Sequence, residues 1–508
     1  MKNNILFGGF GALALFMGQA VYGENITSTL WGLRGERWTP KSNLPYCALA
    51  GYGMGRTAIP ALPVTANVKD FGAKGDGTTD DSAAFNKAIA ATAYGAILIP
   101  EGRYVITNFV TINKPNIVLR GKAEKSVLYF PVPLDSVKPN WGATTTGQRT
   151  SNYSWGGGFF QIVGNPRQGK SMPIIAPAKR GDYSIRAKLG MTVVIGEWIE
   201  IQAKDDAEKS LLNWIYNGTP GNLSQIKSLT ARQPARVVSV TNQQDSVLLT
   251  LDRPLRFDLA ENWSPTVATL AHSVTNSGIE NLRFEFPDVQ WKGEFSELGY
   301  NAIAMSGTFD CWIRNIQLHN AEGGFFVHGY HNTITNTVFT NNKPPYGKNK
   351  YLTTKGCQGH HGISVGGGDN LITGFDFRMS YVHDMTVSVG TSGNVFEAGR
   401  GDDIAFDHHK RAPFANVFTD IDCGEGSRIW RCGGGANLGL HSAGWETFWN
   451  LRGIKAMPPP PKSWGPSTLN IIGVTQTPSE AYHVEIVKPG QTLYPSNIYR
   501  AQKALFNK

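Results

Sequence analysis

Between Ser273 and Arg431 the chain repeats a short cadence that few folds can accommodate. Asn-apolar-apolar triplets begin at Asn370, Asn394 and Asn416, 24 and 22 residues apart. An apolar-x-apolar pair recurs as Phe325/Val327, Ile363/Val365, Met385/Val387 and Ile404/Phe406. Strands this short cannot bury a face alone, so a period of this size predicts a solenoid in which each coil packs on the next. The 38 residues from Phe325 to Ile363 leave room for an inserted loop within residues 341–360. Asparagines at equivalent turns predict side-chain amides stacked along the coil axis.

The rest of the 508 residues is organised around that rod. Residues 1–23 carry Lys2, an apolar run from Ile5 to Phe16 and small residues at Gly18, Ala20 and Gly23, the pattern of a secretory signal peptide. This predicts a secreted or periplasmic protein, and no later run is long enough for a membrane span. Residues 24–66 read as an N-terminal arm, 67–457 as the parallel β-helix domain and 458–508 as a Pro-rich break followed by a C-terminal cap segment. Near the start of the domain, Thr79, Asp80 and Asp81 suit a helix N-terminus, and Ala84, Phe85, Ala88 and Ile89 form one apolar face of a short helix.

Composition agrees with an all-β chain: 58 glycines, 28 prolines and 11% aromatic residues favour turns and short strands over a helical bundle. The formal charge of +9 suits a polyanionic partner. Because the positive charge is scattered and not striped along one element, nucleic-acid binding is disfavoured. Five cysteines, an odd number, leave at least one thiol unpaired, with no zinc or redox spacing among them. P-loop, dinucleotide and serine-elbow motifs are missing from the sequence, as is a helical metal-binding histidine pair.

The segment FGAKGDGTTDD-x-x-AF-x-x-AI, followed by IPEGRYVI and IVLRG, resembles the N-terminal signature of the pectate lyase superfamily, in the branch grouped with rhamnogalacturonases and epimerases. The resemblance implies a right-handed, single-stranded parallel β-helix, with a short N-terminal capping helix and a C-terminal covering segment. Downstream, HDMTV, GNVF, GRGDDIAFDHHKRAPFANVF and ETFWN resemble a subgroup called pectate lyase-like, over most of residues 60–455. The ordered motifs of polygalacturonases do not appear. Only Gly401–Asp403 and the doubled histidine His360–His361 echo parts of them.

Outward-facing positions on aligned strands nominate a site. Pairing Ile404/Phe406 with Met385/Val387 places Gly362, Asp384 and Asp403 in one column, and Gly366, Ser388 and Asp407 in the next. Adjacent coils lie about 4.8 Å apart, so Asp384 and Asp403 are expected to face solvent as neighbours. The turn after these strands lengthens into Asp407, His408, His409, Lys410 and Arg411, and lengthened turns on a regular scaffold are common places for function.

These residues predict an enzyme cleaving an acidic, uronate-containing polysaccharide or oligosaccharide by β-elimination. His408, His409, Lys410 or Arg411 would act as base, and Asp384, Asp402 and Asp403 could hold a Ca²⁺. His361, His383, Trp430 and Arg428 would contact substrate. The alternatives are a glycoside hydrolase using two of Asp384, Asp403 and Asp407, and a non-catalytic glycan-binding β-helix. Trp291, Trp312 and Trp445 are further candidates for stacking on sugar rings. Self-association into a homo-oligomer stays open.

Overall fold

The computed structural model describes residues 24–144, 146–346 and 356–506. The expected signal peptide and residues 347–355 of the inserted loop lie outside them. Through the central coils successive strands alternate between two parallel sheets, so each of these coils contributes a strand to each, wound in a right-handed parallel β-helix. The narrower sheet stacks β1 (Val110–Ile112), β2 (Phe160–Val163), β3 (Asn301–Phe309), β4 (Gly323–Tyr330), β5 (Gly359–Gly368), β6 (Tyr381–Val387) and β7 (Phe406–His408) in that order. The broader sheet runs from Val64–Asn67 through Thr333–Thr340, Leu371–Phe377 and Val417–Asp422 to His483–Glu485.

Apolar residues of both sheets meet between them. Phenylalanines stack along the axis: Phe339 on Phe377 with ring centroids 4.3 Å apart, and Phe418 between Phe396 and Phe448 at 4.6 and 5.1 Å. Like rings on consecutive coils are brought to stacking distance by the strand spacing itself. At the turn entering the broader sheet the expected amide ladder is present. Asn332 Nδ2 donates to Asn370 Oδ1 at 3.0 Å, Asn370 to Asn394 at 2.8 Å and Asn394 to Asn416 at 2.8 Å. Each Oδ1 also accepts the backbone N–H of the preceding ladder asparagine. The ladder ends on Glu446, whose Oε1 accepts from Asn416 Nδ2 at 2.7 Å.

A second bend, which the sequence reading did not anticipate, interrupts the longer strands of the broader sheet. Asn281, Asn315, Asn336, Gly374, Asp420 and Asn450 have φ between 53° and 65°, a left-handed conformation that Asn, Asp and Gly adopt most easily. Here too amides stack, Asn336 on Asn315 at 3.1 Å and Asn315 on Asn281 at 2.8 Å.

The ends behave differently from one another. α1 (Ser82–Ala91) buries Ala84, Phe85, Ala88 and Ile89 in the first coils, and Asp80 Oδ1 accepts the Ser82 N–H at 3.0 Å. Between β2 and β3 an antiparallel sheet is inserted, built on Ser184–Lys188, Trp198–Lys204, Thr230–Asn242, Ser246–Leu251 and Thr266–Ala271, with the short helix α2 (Ser210–Ile215). Its core joins Ile201, Leu249 and Phe257 to Ala412, Phe414 and Trp445 of the later coils. A buried ion pair at 3.1 Å from Arg253 to Asp369 fixes it to the ladder turn. At the far end α3 (Ile498–Phe506) packs along the side of the rod. It shares a cluster with Trp31 and Cys47 of the N-terminal arm and with Val417, Trp449 and Ile472 of the broader sheet. The arm's Glu24–Thr27 pairs in parallel with Gln491–Tyr494. All five cysteines are free thiols. Among the described residues no helix is long and apolar enough to cross a membrane.

Candidate functional site

The register of β7 rearranges the expected columns. Met385 pairs with Phe406, Thr386 with Asp407 and Val387 with His408. The inward pair of this coil is therefore Phe406/His408 and not Ile404/Phe406. A slip of two residues preserves the inward–outward parity, so alternation alone could not exclude it, although it sets a histidine where the apolar pattern favoured Phe406.

Three expectations fall with that register. Asp384 is buried and not solvent-facing: its Oδ2 meets Arg428 at 2.6 Å and accepts the Ala405 N–H at 2.8 Å, while Oδ1 accepts the Tyr381 N–H at 2.9 Å. Burial pushes its carboxyl up to about 6, with Arg428 pulling the other way. Asp403 does not stand beside it as a free carboxylate, because both its oxygens accept from Ser427, at 2.8 and 2.6 Å. Asp402 is exposed. Asp384, Asp402 and Asp403 are not among the groups of described residues whose ligand atoms converge, so the carboxylate Ca²⁺ site is not formed.

Arg428 is likewise a structural residue. Its donors go to the carbonyls of Asp403 (2.9 and 2.7 Å) and Tyr381 (2.8 Å) as well as to Asp384, tying three chain segments together inside the protein. His408 points into the rod, fully buried, with ring centroids 4.8 Å from Trp464 and 5.3 Å from Phe418. An inward base has no route to substrate. Trp291, Trp312 and Trp445 are buried as well and offer no face to a sugar.

On the outer face of the same strands, however, a cluster assembles. Asp407, Thr386, His361, His383 and His409 meet there, joined by His360 from the start of β5. Asp407 Oδ2 lies 2.8 Å from His409 Nδ1, 3.3 Å from His383 Nδ1 and 3.2 Å from the donating Thr386 hydroxyl. Its Oδ1 accepts the Gly433 N–H at 2.7 Å. Burial alone would raise the Asp407 carboxyl, but the imidazoles of His383 and His409 and the hydrogen bond from His409 outweigh it and hold it well below the usual range. His361 Nδ1 lies 3.0 Å from Thr386 Oγ1. Burial lowers both His361 and His383, the latter to about 3.

The cover over this face comes from two loops. Glu297 Oε1 lies 2.9 Å from His360 Nδ1 and Glu294 Oε1 lies 3.7 Å from His360 Nε2. Burial would lower His360, but Glu297 reverses the effect and raises it. From the other side Gly433 approaches so closely that a Cβ there would sit 2.5 Å from His409 Cε1 and 3.0 Å from His383 Cε1. A side chain at that point would have to push the His409 ring aside. With His360, His361 and His383 almost wholly enclosed, His409 is the ring of the cluster that solvent reaches, its side chain 26% exposed.

Next to His409 the backbone turns through three consecutive left-handed residues, Lys410, Arg411 and Ala412, with φ of 60°, 60° and 59°. None is glycine, and each costs on the order of 1 kcal/mol in that conformation. The inserted sheet holds the turn in place, since Tyr216 Oη accepts the Ala412 N–H at 2.9 Å. Lys410 thereby lines a cleft of about 470 Å³ together with Trp430, Arg431, Cys432, His441 and Trp464. Burial lowers Lys410 and pushes His441 down to about 4.

Chemically, the cluster supplies a carboxylate-backed imidazole at the surface and a buried set of nitrogen and oxygen donors. His360, His361 and His383 form one group, and His383, Asp407 and His409 another, whose ligand atoms lie within 4.8 Å of one another. Either group is capable of coordinating a divalent metal ion. Sequence reasoning found Asp407, His409, His361 and His383 but placed them in separate roles. It missed Glu294 and Glu297, which carry no periodic signal and reach the site only through folding, and it passed over Thr386, the outward position between Met385 and Val387.

Residues 65–130 match the family model described as rhamnogalacturonase A/epimerase, pectate lyase-like. With the parallel coils described above, this relates the fold to the pectate lyase-like right-handed β-helices. Two curated proteins align over short stretches. A non-secreted LysM effector of Penicillium expansum is 44% identical over 69 residues, 10% of this chain and 6% of that protein. A glucan 1,3-beta-glucosidase of Cochliobolus carbonum is 40% identical over 79 residues, 12% of this chain and 9% of that protein. The alignments thus span less than a tenth of either relative. Among solved structures, the tailspike protein of Pseudomonas phage LKA1 is similar over 77% of this chain and 64% of its own, at 13% identity and a TM-score of 0.39. The A-module of an Azotobacter vinelandii mannuronan C-5 epimerase is similar over 84% of this chain and 100% of its own, at 11% identity and a TM-score of 0.32. At such scores no residue of theirs maps onto a residue here.

Proposed function

We propose that the chain is an exported carbohydrate-active enzyme that cleaves a uronate-containing polysaccharide by β-elimination, with His409 as base. The observation that carries this reading is the solvent-reached His409 ring, backed at 2.8 Å by buried Asp407 and next in sequence to Lys410 in a cleft of cations and tryptophans. With its Nδ1–H donated to Asp407, His409 keeps a lone pair on Nε2. That nitrogen would take the proton on the carbon beside the uronate carboxylate. The electrons form the ring double bond and expel the glycosidic oxygen on the neighbouring carbon. Lys410 and Arg431 would offset the carboxylate's charge as it delocalises, and Trp430, whose Nε1 is anchored at 2.7 Å on the Pro458 carbonyl, offers a ring to the sugar.

The hydrolase reading has less support, because Asp384 and Asp403 are both engaged in structural contacts. The pectate lyase-like description of the matched family and the net charge of +9 are in keeping with an acidic substrate. Export rests on residues 1–23. Incubation with a panel of uronate-containing polysaccharides tests the proposal. Elimination gives new reducing ends together with the ultraviolet absorbance of an unsaturated uronate. Reducing ends without that absorbance would mean hydrolysis, and neither signal would leave a binding protein.

A further inference from the structure

We propose that His360, His361 and His383 bind one divalent first-row transition-metal ion, each through an imidazole nitrogen. The three rings pack with centroids 4.3, 4.8 and 5.4 Å apart, and one nitrogen of each lies within 4.8 Å of those of the other two. Each of the three residues is at most 3% exposed. Three imidazoles buried against one another, away from water, form an arrangement that a fold ordinarily avoids.

The hydrogen-bond accounting points the same way. Among the described residues, His361 Nε2 closes no hydrogen bond, while the Nδ1 atoms of His360 and His383 are turned towards carboxylates. A buried ring nitrogen left unmatched costs about 1–3 kcal/mol, and one packed against two further imidazoles asks for a partner that all three rings can share. His361 is oriented for that role, since the 3.0 Å contact between its Nδ1 and Thr386 leaves Nε2 facing its neighbours. Glu297 against His360 and Asp407 against His383 bring buried carboxylates within 2.9 and 3.3 Å of the rings. This is the outer ring of acceptors that metal-binding histidines normally have. It also supplies negative charge to balance a dication.

Donor type decides the class of ion. Imidazole nitrogen suits zinc, cobalt, nickel, iron or copper, whereas Ca²⁺ requires six or more oxygens. Tetrahedral coordination at about 2.1 Å needs nitrogens roughly 3.4 Å apart, a small contraction of the present cluster. The proposal does not depend on the reaction proposed above, because binding is measured without substrate.

The test uses the full chain, stripped with chelator and titrated with Co²⁺ and then Zn²⁺. One equivalent of Co²⁺ with visible d–d bands, displaced by Zn²⁺, is expected. His361→Ala should abolish the bands, Thr386→Val should weaken binding about 10- to 100-fold, and His409→Gln should leave the stoichiometry at one. Failure of the wild-type chain to bind either ion would overturn the site. So would loss of binding in His409→Gln with retention in His360→Ala, which would move the ion to the His383, Asp407 and His409 group. Should His361→Ala lose its circular dichroism spectrum, Thr386→Val, which keeps all three imidazoles, decides the question: unchanged affinity there overturns it.

Discussion

Asp407 and His409 stand two residues apart on one face of the coil, joined at 2.8 Å between Oδ2 and Nδ1, and only the histidine reaches solvent. Two residues is the repeat of side-chain direction along a strand, so the intervening His408 enters the core while its neighbours build the site. If His409 is the base, His409→Gln should lower kcat by roughly 10²- to 10⁴-fold, the usual contribution of a positioned acid or base. KM should move little. Asp407→Asn should also slow turnover, since an amide can hold the ring with the wrong nitrogen protonated. Steady-state kinetics on the best uronate substrate checks both. Equal activity in His409→Gln and wild type would remove the base from this position.

The Asp384–Arg428 pair predicts a stability effect and no direct effect on chemistry. Both side chains are enclosed and meet at 2.6 Å. Arg428→Ala would strand a buried carboxylate and free three backbone carbonyl contacts, so a loss of about 3–5 kcal/mol is expected. Arg428→Met with Asp384→Leu should lose less, because no charge is left unpaired. Urea denaturation of the three chains measures this. A double variant less stable than Arg428→Ala alone would show that the pair contributes more than mutual neutralisation.

Much of the rod was legible because its rules are local. The asparagine triplets marked turns, the short apolar pairs marked strands, and Phe85, Ala88 and Ile89 marked the capping helix. What failed was the two-residue register of β7, which moved Asp407 from the column of Ser388 to that of Thr386. Alternation is blind to a shift by its own period, and the apolar pattern favoured the other register. The inserted sheet between β2 and β3 was illegible for another reason: β-branched runs look the same whether their partners are parallel or antiparallel. The cover over the histidines comes from Glu294 and Glu297, more than 60 residues before His360 in sequence, where only the folded chain brings them near.

The amide ladder gives a third prediction. Asn394 accepts from the Asn370 N–H and Nδ2–H at 3.0 and 2.8 Å and donates to Asn416 at 2.8 Å, with all three fully enclosed. Asn394→Ala leaves a backbone and a side-chain donor unmatched, each worth about 1–3 kcal/mol. A loss on the order of 3 kcal/mol is expected, against a much smaller loss for the surface amide replaced in Asn336→Gly, which keeps the left-handed bend. Thermal denaturation of the two variants distinguishes the ladders. Similar melting temperatures would mean that the inner ladder bonds contribute no more than exposed ones.

His272 supplies a pH dependence free of the site. Its ring stacks on Phe309 with centroids 4.2 Å apart, and neither ring nitrogen closes a hydrogen bond among the described residues. Burial is the sole cause that lowers it, from 6.5 to about 4. The unfolded chain therefore takes up a proton near 6.5 while the folded chain resists until about 4, so between these values the unfolded state binds more protons. Stability from this residue is fully present above the unfolded pKa and is lost as pH falls through the window. With some solvent still at the ring, the loss should be on the order of 2 kcal/mol. His272→Phe keeps the stacking and cannot titrate. Subtracting its unfolding free energy from that of the wild type at pH values from 7 down to 4 isolates the contribution, since the other groups cancel. A difference that stays flat across that range would show that the imidazole gains its proton as easily in the folded chain as in the unfolded one.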